Sequence, residues 1–273
     1  MTINKSLSNA VAVQAIEQNL DKFVGLSQHW PACDTRVDQD IVWAISDTPF
    51  YTLNNVAQAR LNDAQAAETI EQVAQLSSSK QVPVIWWVGP LSTPESLGAQ
   101  LEAHGFMSVS QTPGMALDLT RLAALESMPA RLNITKVSNQ DDLNRLNQVS
   151  ARGIDLGPET EAATLEMLSS AMVAATGLQY YIGWFDNKPV ATASMLLDDR
   201  VAGIYNVVTL PEVRKRGIGS AMTHFALKDA LTQGAQIGIL HSSPLGINVY
   251  RGLGFEVFCQ FQLYLCGAEY IRQ

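Results

Sequence analysis

Arg214, Gly217 and Gly219 lie where a predicted strand passes into a predicted helix, within the segment NVVTLPEVRKRGIGSA that begins at residue 206. Glycines at such a junction let a ligand approach the backbone closely, and the first amides of a helix have no partner inside it. The helix dipole and the neighbouring basic side chains favour negative charge. These features predict a pyrophosphate-binding loop, and a plain tight turn with a solvated basic patch is the alternative interpretation.

The loop does not fit the two best-known nucleotide motifs. A dinucleotide fingerprint requires a third glycine where the chain has Met222, and an acidic residue in or after the strand Gln236–Leu240, which has none. A P-loop requires Gly-Lys-Ser/Thr, which this segment lacks. The pattern that remains is Arg-x-x-Gly-x-Gly.

A second chemically informative segment is SPLGINVYRGLGF, residues 243–255. Here a predicted strand runs straight into a helix that carries Tyr250 and ends at Gly254-Phe255. A tyrosine one turn from a helix end is usually a packing residue. The presence of the glycine loop in the same chain favours a functional role for Tyr250.

Together the two segments resemble the GNAT N-acetyltransferase superfamily. The resemblance rests on Val207-Val208-Thr209 with Pro211, on RKRGIG, and on SPLGINVYRGLGF. It implies that acetyl-CoA is the cosubstrate, and that the backbone of Val207, Val208 and Thr209 pairs with its pantetheine arm like an added strand. The loop residues that would hold its pyrophosphate are Arg214, Lys215, Arg216, Gly217, Ile218, Gly219 and Ser220.

Three further residues are candidates for the site, two of them through the resemblance. Tyr250 matches the tyrosine that protonates the departing thiolate. Ser243 stands near the pantetheine where the family commonly has asparagine, so this position departs from the pattern. His241 follows the strand Gln236–Leu240 and is a candidate general base. The alternative roles for this histidine are to cap the helix or to line the pocket.

The sequence predicts an α/β protein with a mixed sheet (α+β). It indicates two GNAT-like domains in tandem, of which the C-terminal one is complete. In each half, a helix, an apolar strand, a second helix, Gly-Phe and a further strand follow in the same order. We expect a degenerate domain at residues 1–125, a connector within Thr120–Arg131, and an acetyltransferase domain at 131–273. Recurrence of a common α/β unit is the alternative.

The N-terminal half lacks the cofactor machinery. Its segment LNDAQAAET, from residue 61, has no glycine, and Leu101 occupies the position that aligns with Tyr250. WWVGP, a helix ending in His-Gly-Phe, and GMALDL resemble the degenerate first domain of tandem GNAT proteins. We therefore expect one CoA site per chain, and we interpret Trp86 and Trp87 as structural rather than substrate-stacking residues.

Composition narrows the partners and the compartment. The 273 residues are 47% hydrophobic and carry a net charge of -8, which disfavours nucleic acid. No apolar run reaches the ~20 residues of a membrane span, and the first residues do not resemble a signal peptide. Three scattered cysteines (Cys33, Cys259 and Cys266) indicate a reducing cytoplasm. His29 and Cys33 lack a third ligand, so we expect no metal. A homodimer is left open.

The leading hypothesis is an acetyl-CoA-dependent N-acetyltransferase that acts on a primary amine of a small molecule or a peptide by direct attack. The alternative from another class is a non-catalytic acyl-CoA-binding regulatory protein. A nucleotide-binding α/β protein is a third interpretation, which would require tight binding of NAD or ATP but not of CoA.

Overall fold

A computed structural model describes residues 7–125, 128–174 and 177–271, so residues 126–127 of the predicted connector lie outside the described residues. The helices are α1 (Asn9–Gly25), α2 (Asp63–Lys80), α3 (Leu97–Ala103), α4 (Gln140–Ile154), α5 (Pro158–Ala174), α6 (Ile218–Thr232) and α7 (Ile247–Gly252). The strands are β1 (Cys33–Val37), β2 (Val42–Ser46), β3 (Asn55–Ala57), β4 (Val84–Val88), β5 (Met107–Asp118), β6 (Leu132–Lys136), β7 (Leu178–Phe185), β8 (Lys188–Asp198), β9 (Val201–Thr209), β10 (Ile237–His241) and β11 (Glu256–Cys266).

The described residues fall into two compact units. The C unit comprises the residues up to Asn19 together with Gly114–Phe258, and the N unit comprises Leu20–Pro113 together with the residues from Cys259 onward. The division differs from the expected boundaries at 1–125 and 131–273, because each unit is built from two separate segments. The mixed α/β fold class is confirmed.

In the C unit the strands lie in the order β5-β10-β9-β8-β7-β6. β9 and β10 are parallel and are joined by the crossover helix α6, whereas the other pairs are antiparallel. Val208 packs against Gly153 of α4, and its neighbour Thr209 faces Gly219 of α6. Successive strand residues point to opposite faces, so the two helices cover opposite faces of β9.

In the N unit the strands lie in the order β1-β2-β3-β4-β11. β3 and β4 are parallel and are joined by α2, which repeats the arrangement of β9, α6 and β10. This repetition supports the duplication predicted from the sequence.

Each unit completes its sheet with a strand that, in the sequence, comes after the two parallel strands of the other unit. Gly114–Asp118 of β5 pairs with β10, and Gln262–Cys266 of β11 pairs with β4. We call this arrangement the strand exchange. The apolar side chains of each strand lie in the core of the unit in which the strand pairs. Met115 and Leu117 lie in the core of the C unit, and Tyr264 and Cys266 lie in the core of the N unit.

Two local structures differ from the sequence-based expectations. The sequence predicts a weak strand at Tyr51–Arg60, whereas the structure has a 3-10 turn at Tyr51–Leu53 followed by the short β3. The buried Asn54 explains the turn: its Oδ1 accepts from the amide of Ser46 (2.7 Å), and its Nδ2 donates to carbonyl oxygens within the turn. The sequence around Cys33 predicts a loop, whereas in the structure Cys33 begins β1.

Candidate active site

The centre of the candidate site is the point where β9 runs beyond its parallel partner. β9 pairs with β10 over Val201–Ile204, and β10 ends at His241. β9 continues to Thr209 and remains paired with β8 on its other edge. Among the described residues, Val207–Thr209 have no strand partner on the β10 side, so this stretch presents a backbone edge that an extended chain can join.

A β-bulge shapes this part of β9. The pairing between β8 and β9 shifts register between Thr192 and Ser194, and Asn206 adopts the left-handed conformation with φ +51°. The hydroxyl of Thr192 donates to the carbonyl oxygen of Asn206 (3.3 Å) and is hydrogen-bonded to Ser150 of α4 (3.2 Å). A bulge re-aims the residues that follow it, here the exposed backbone edge.

The loop after β9 places the first turn of α6 at the end of this edge. Pro211–Val213 form a 3-10 turn, and Gly217 is the residue that precedes the helix. Gly217 has φ +75°, a conformation that favours glycine, and the structure shows no side-chain hydrogen bond capping the helix. The first amides of α6 therefore remain available for an anion.

A glycine stands at position 219 for a different reason than at position 217. An added Cβ at Gly219 would meet only the Oγ1 of Thr209, at an ordinary 3.8 Å, and its φ is not positive. A glycine in a helix costs about 1 kcal/mol relative to alanine, and packing within the protein does not require one here. The space beside Gly219 fits the close approach of a ligand to the backbone.

The three basic residues of the loop have different surroundings. Arg214 braces the loop, because its Nε donates to the carbonyl oxygen of Thr209 (3.0 Å) and its Nη2 to that of Gly153 (3.1 Å). Lys215 is exposed and has φ +61°. The guanidinium carbon of Arg216 lies 5.4 Å from the ring centroid of Phe185.

Tyr250 lies on α7, beyond the end of β10. Its ring packs edge-on against Phe255, with 6.1 Å between centroids, and borders the core of the C unit. Burial raises the pKa of the phenol, so the hydroxyl keeps its proton well above neutral pH. No described residue forms a hydrogen bond with that hydroxyl.

Gly246 brings Ser243 and Tyr250 together. An added Cβ at Gly246 would lie 2.8 Å from Cε2 of Tyr250 and 3.5 Å from the Oγ of Ser243. The buried Ser242 donates its hydroxyl to the carbonyl oxygen of Ser243 (2.8 Å), which holds the start of this turn. Gly246 is not among the residues predicted from the sequence, although its place four residues before Tyr250 is a local signal for a close contact between the two.

His241 is the last residue of β10, where β9 and β10 diverge. Both of its ring nitrogens are buried, and burial lowers the pKa of the imidazole from 6.5 to about 4. The ring is therefore neutral at pH 7 and can accept a proton, although it is a weaker base than an exposed histidine.

The corresponding region of the N unit is closed. The amide of Thr93 donates to the carbonyl oxygen of Ala59 (2.8 Å), and the amide of Leu61 donates to that of Thr93 (3.2 Å). The segment after β4 thus pairs with the segment after β3, where β9 in the C unit presents its open edge.

The first turn of α2 is also unsuited to an anion. Asn62 and Gln65 form a capping box, each side chain accepting from the other's amide at 3.0 Å. Asp63 places a carboxylate beside the cap, held by Ser96 (2.6 Å) and Gln100 (2.8 Å). A carboxylate at this position repels a phosphate.

The two tryptophans of β4 have structural contacts. Trp86 is fully buried and packs edge-on against Phe106. The indole nitrogen of Trp87 donates to Oδ1 of Asn55 (3.0 Å). The described residues contain no group of three or more His, Cys, Asp or Glu side chains suited to a metal ion, and no helix among them is long and apolar enough to cross a bilayer.

One protein-family model matches the part of the chain that contains the candidate site. Residues 150–255 match the family model of the acetyltransferase (GNAT) family, and all the predicted site residues lie within them. No curated protein matches the chain.

Solved structures extend the likeness in fold to nearly the whole chain. A GCN5-related N-acetyltransferase from Kribbella flavida superposes with a TM-score of 0.65 at 20% identity, covering 92% of this chain and 94% of that one. One from Sphaerobacter thermophilus gives 0.61 at 16% identity, covering 96% and 94%. A tandem GNAT protein from the clavulanic acid biosynthesis pathway gives 0.59 at 13% identity, covering 93% and 94%. Residues 150–255 are thus a domain of the GNAT acetyltransferase family, in a chain with the tandem GNAT fold.

Proposed function

We propose that the protein is an acetyl-CoA-dependent N-acetyltransferase that acts on a primary amine of a small molecule or a peptide. The observation that carries the proposal is the open edge of β9 at Val207–Thr209, which leads directly to the uncapped first turn of α6. A ligand with an extended amide-containing arm followed by a diphosphate has this order of groups. The free space beside Gly219 supports the same ligand.

The local geometry supports the binding roles that the family resemblance implies. Backbone groups of Val207, Val208 and Thr209 would pair with the pantetheine amides, and Ser243 would lie beside the arm. The loop from Lys215 to Ser220 would hold the diphosphate through its amides. Arg214 would act indirectly, by tying the loop to the end of β9.

Acetyl-CoA supplies an activated acetyl thioester, whose transfer forms an amide C–N bond and breaks the C–S bond. Tyr250 holds a proton on its phenol oxygen for the departing sulfur, and burial keeps that oxygen protonated. Backbone amides after the Asn206 bulge would polarise the carbonyl oxygen. His241 would accept the proton that the amine loses, directly or through water.

The competing function is a non-catalytic acyl-CoA-binding protein. To separate the two, the protein is mixed with acetyl-CoA and a panel of primary amines, and the release of free thiol is measured. Catalysis predicts amine-dependent, multiple-turnover thiol release that Tyr250→Phe reduces. Tight binding of acetyl-CoA with no turnover on any amine would favour the regulatory protein, and tight binding of NAD or ATP without CoA would reject both.

We also assign the protein to the cytoplasm. All three cysteines are free thiols, which is in keeping with a reducing compartment.

A further inference from the structure

Two arginines from distant parts of the sequence meet at one aromatic ring. The guanidinium carbon of Arg131, just before β6, lies 5.7 Å from the ring centroid of Phe185, and that of Arg216 lies 5.4 Å from it. Phe185 ends β7 and is partly buried against the core of the C unit. The ring therefore fixes two positive charges beside the phosphate loop.

The segment around Arg131 is fastened to the loop and to the β7–β8 turn. Arg131 forms an ion pair with Asp186, whose amide also donates to the carbonyl oxygen of Arg131 (3.4 Å). Cγ of Pro129 lies 3.7 Å from the position of an added Cβ on Gly217. The last residues of the predicted connector thus lie against the loop that precedes α6.

This corner of the C unit concentrates positive charge in a chain whose net charge is -8. Lys188 pairs in register with Phe185, and the exposed Lys215 lies in the loop. Lys188, Lys215 and the two arginines are four positive charges. Arg131 forms its ion pair with the carboxylate of Asp186. A guanidinium has five donors in a planar fork, so one carboxylate leaves donors for a further anion.

We propose that Arg131 and Arg216, braced on Phe185, bind the 3′-phosphate on the adenosine end of CoA. The inference rests on the proposed function, because it assumes that the diphosphate occupies the backbone amides at the start of α6. Those amides need no side-chain charge to hold the diphosphate. The arginine pair is then available for the one remaining anionic group of CoA.

The test compares CoA with dephospho-CoA, which lacks only the 3′-phosphate, by titration calorimetry. The unaltered protein should bind CoA about ten- to a hundredfold more tightly, the range expected for charge-assisted hydrogen bonds to one phosphate. Arg131→Gln should weaken CoA binding by a similar factor and leave the affinity for dephospho-CoA unchanged. Phe185→Leu should have the same direction of effect, because it removes the ring that braces both arginines.

The chain provides a matched control in Arg36 of the N unit. Its guanidinium carbon lies 5.4 Å from the ring centroid of Trp43, and it pairs with Asp38 at 2.6 Å. Arg36→Gln therefore removes the same kinds of contact within the N unit, and both affinities should stay unchanged.

The possible outcomes separate the inference from the proposed function. Equal affinities of the unaltered protein for CoA and dephospho-CoA would overturn the inference alone. Equal weakening of both ligands by Arg131→Gln would also overturn it, because the residue would then act on the diphosphate or on the fold. Failure of the unaltered protein to bind either ligand would overturn the proposed function as well.

Discussion

The ring of Tyr250 lies so close over Gly246 that a Cβ at position 246 would be only 2.8 Å from Cε2. Real Cβ atoms essentially never approach a neighbour this closely, so any other residue at 246 displaces the ring. The glycine therefore sets the place of the phenol, and the placement of the proposed acid can be tested separately from its chemistry.

Replacing Tyr250 with phenylalanine keeps the edge-on contact with Phe255 and removes the hydroxyl proton. We expect turnover to fall by about 100-fold or more, the usual effect of losing a general acid. The loss should appear equally in kcat and kcat/KM, since the interaction belongs to the transition state. Affinity for acetyl-CoA should change little, because its proposed contacts are mainly to backbone.

The control for this prediction is Tyr250→Ala, measured on the same amine substrate. A tyrosine that only packs would give normal turnover in the phenylalanine variant and lost stability in the alanine variant. Normal turnover of Tyr250→Phe, with chemistry shown to be rate-limiting, would end the assignment of Tyr250 as the acid.

Gly246→Ala keeps the Tyr250 side chain but displaces its ring. We expect kcat to fall by about ten- to a hundredfold, because misplacing a catalytic group by a fraction of an ångström to 1 Å has effects of this size. The measurement is a double-mutant cycle with Tyr250→Phe. If Gly246 acts through Tyr250, adding Gly246→Ala to the phenylalanine variant should cost nothing further. Fully additive losses would show that Gly246 acts on something else.

Gly219→Val should abolish CoA binding without lowering stability, because the new side chain enters space that the protein leaves open. Calorimetry with CoA and the melting temperature are the two measurements. Gly157→Val is the matched control, since a Cβ at position 157 would meet nothing within 4 Å and the φ of Gly157, like that of Gly219, is not positive. Gly217 is less suitable, because its φ of +75° makes any substitution strained. Unchanged CoA affinity in Gly219→Val would place the pocket elsewhere.

The depressed pKa of His241 predicts how stability depends on pH. The unfolded chain protonates this imidazole near pH 6.5, whereas the folded protein does so only near pH 4. Stability should therefore decrease as pH falls from about 6.5 to 4, by about 2 kcal/mol at pH 5 from this residue.

Urea unfolding of the unaltered protein and of His241→Gln, measured between pH 7.5 and pH 4.5, tests this. The glutamine variant should lose that part of the pH dependence. Parallel stability curves for the two proteins would contradict the buried, neutral state of His241.

Each chain should bind one CoA molecule. In the N unit the backbone of Thr93 pairs with Ala59 and Leu61, and Asp63 places a carboxylate at the start of α2. Native mass spectrometry at saturating CoA measures the stoichiometry. Two molecules per chain, with the second retained in Gly219→Val, would show that the N unit also binds.

Much of the frame around the site could be predicted from local sequence. The helix after Gly217 and the turn into α7 follow from the spacing of hydrophobic residues and the placement of glycines. The β9 bulge could not, because its only local signal is the tolerance of Asn206 for positive φ. The role of Arg214 as a brace depends on Gly153, 61 residues away, so no local pattern indicates it.

The local sequence also could not predict the strand exchange, in which β5 pairs with β10 and β11 pairs with β4. An alternating segment such as β5 or β11 shows that a strand forms, but it does not show which edge the strand joins. The expected division at Thr120–Arg131 followed chain order for this reason.

The exchange also has a consequence for how the protein is made on the ribosome. Residues 262–266 supply the neighbour of β4, so the N unit cannot finish its sheet until translation has passed Cys266. Until then β4 has an unpaired edge, and Val84, Trp86 and the rest of that core lack the cover of Tyr264 and Cys266. Domains usually fold in the order of synthesis, and unpaired edges are prone to aggregate. The N unit must instead finish folding after all the residues of the C unit have been made, although most of its own residues are made first.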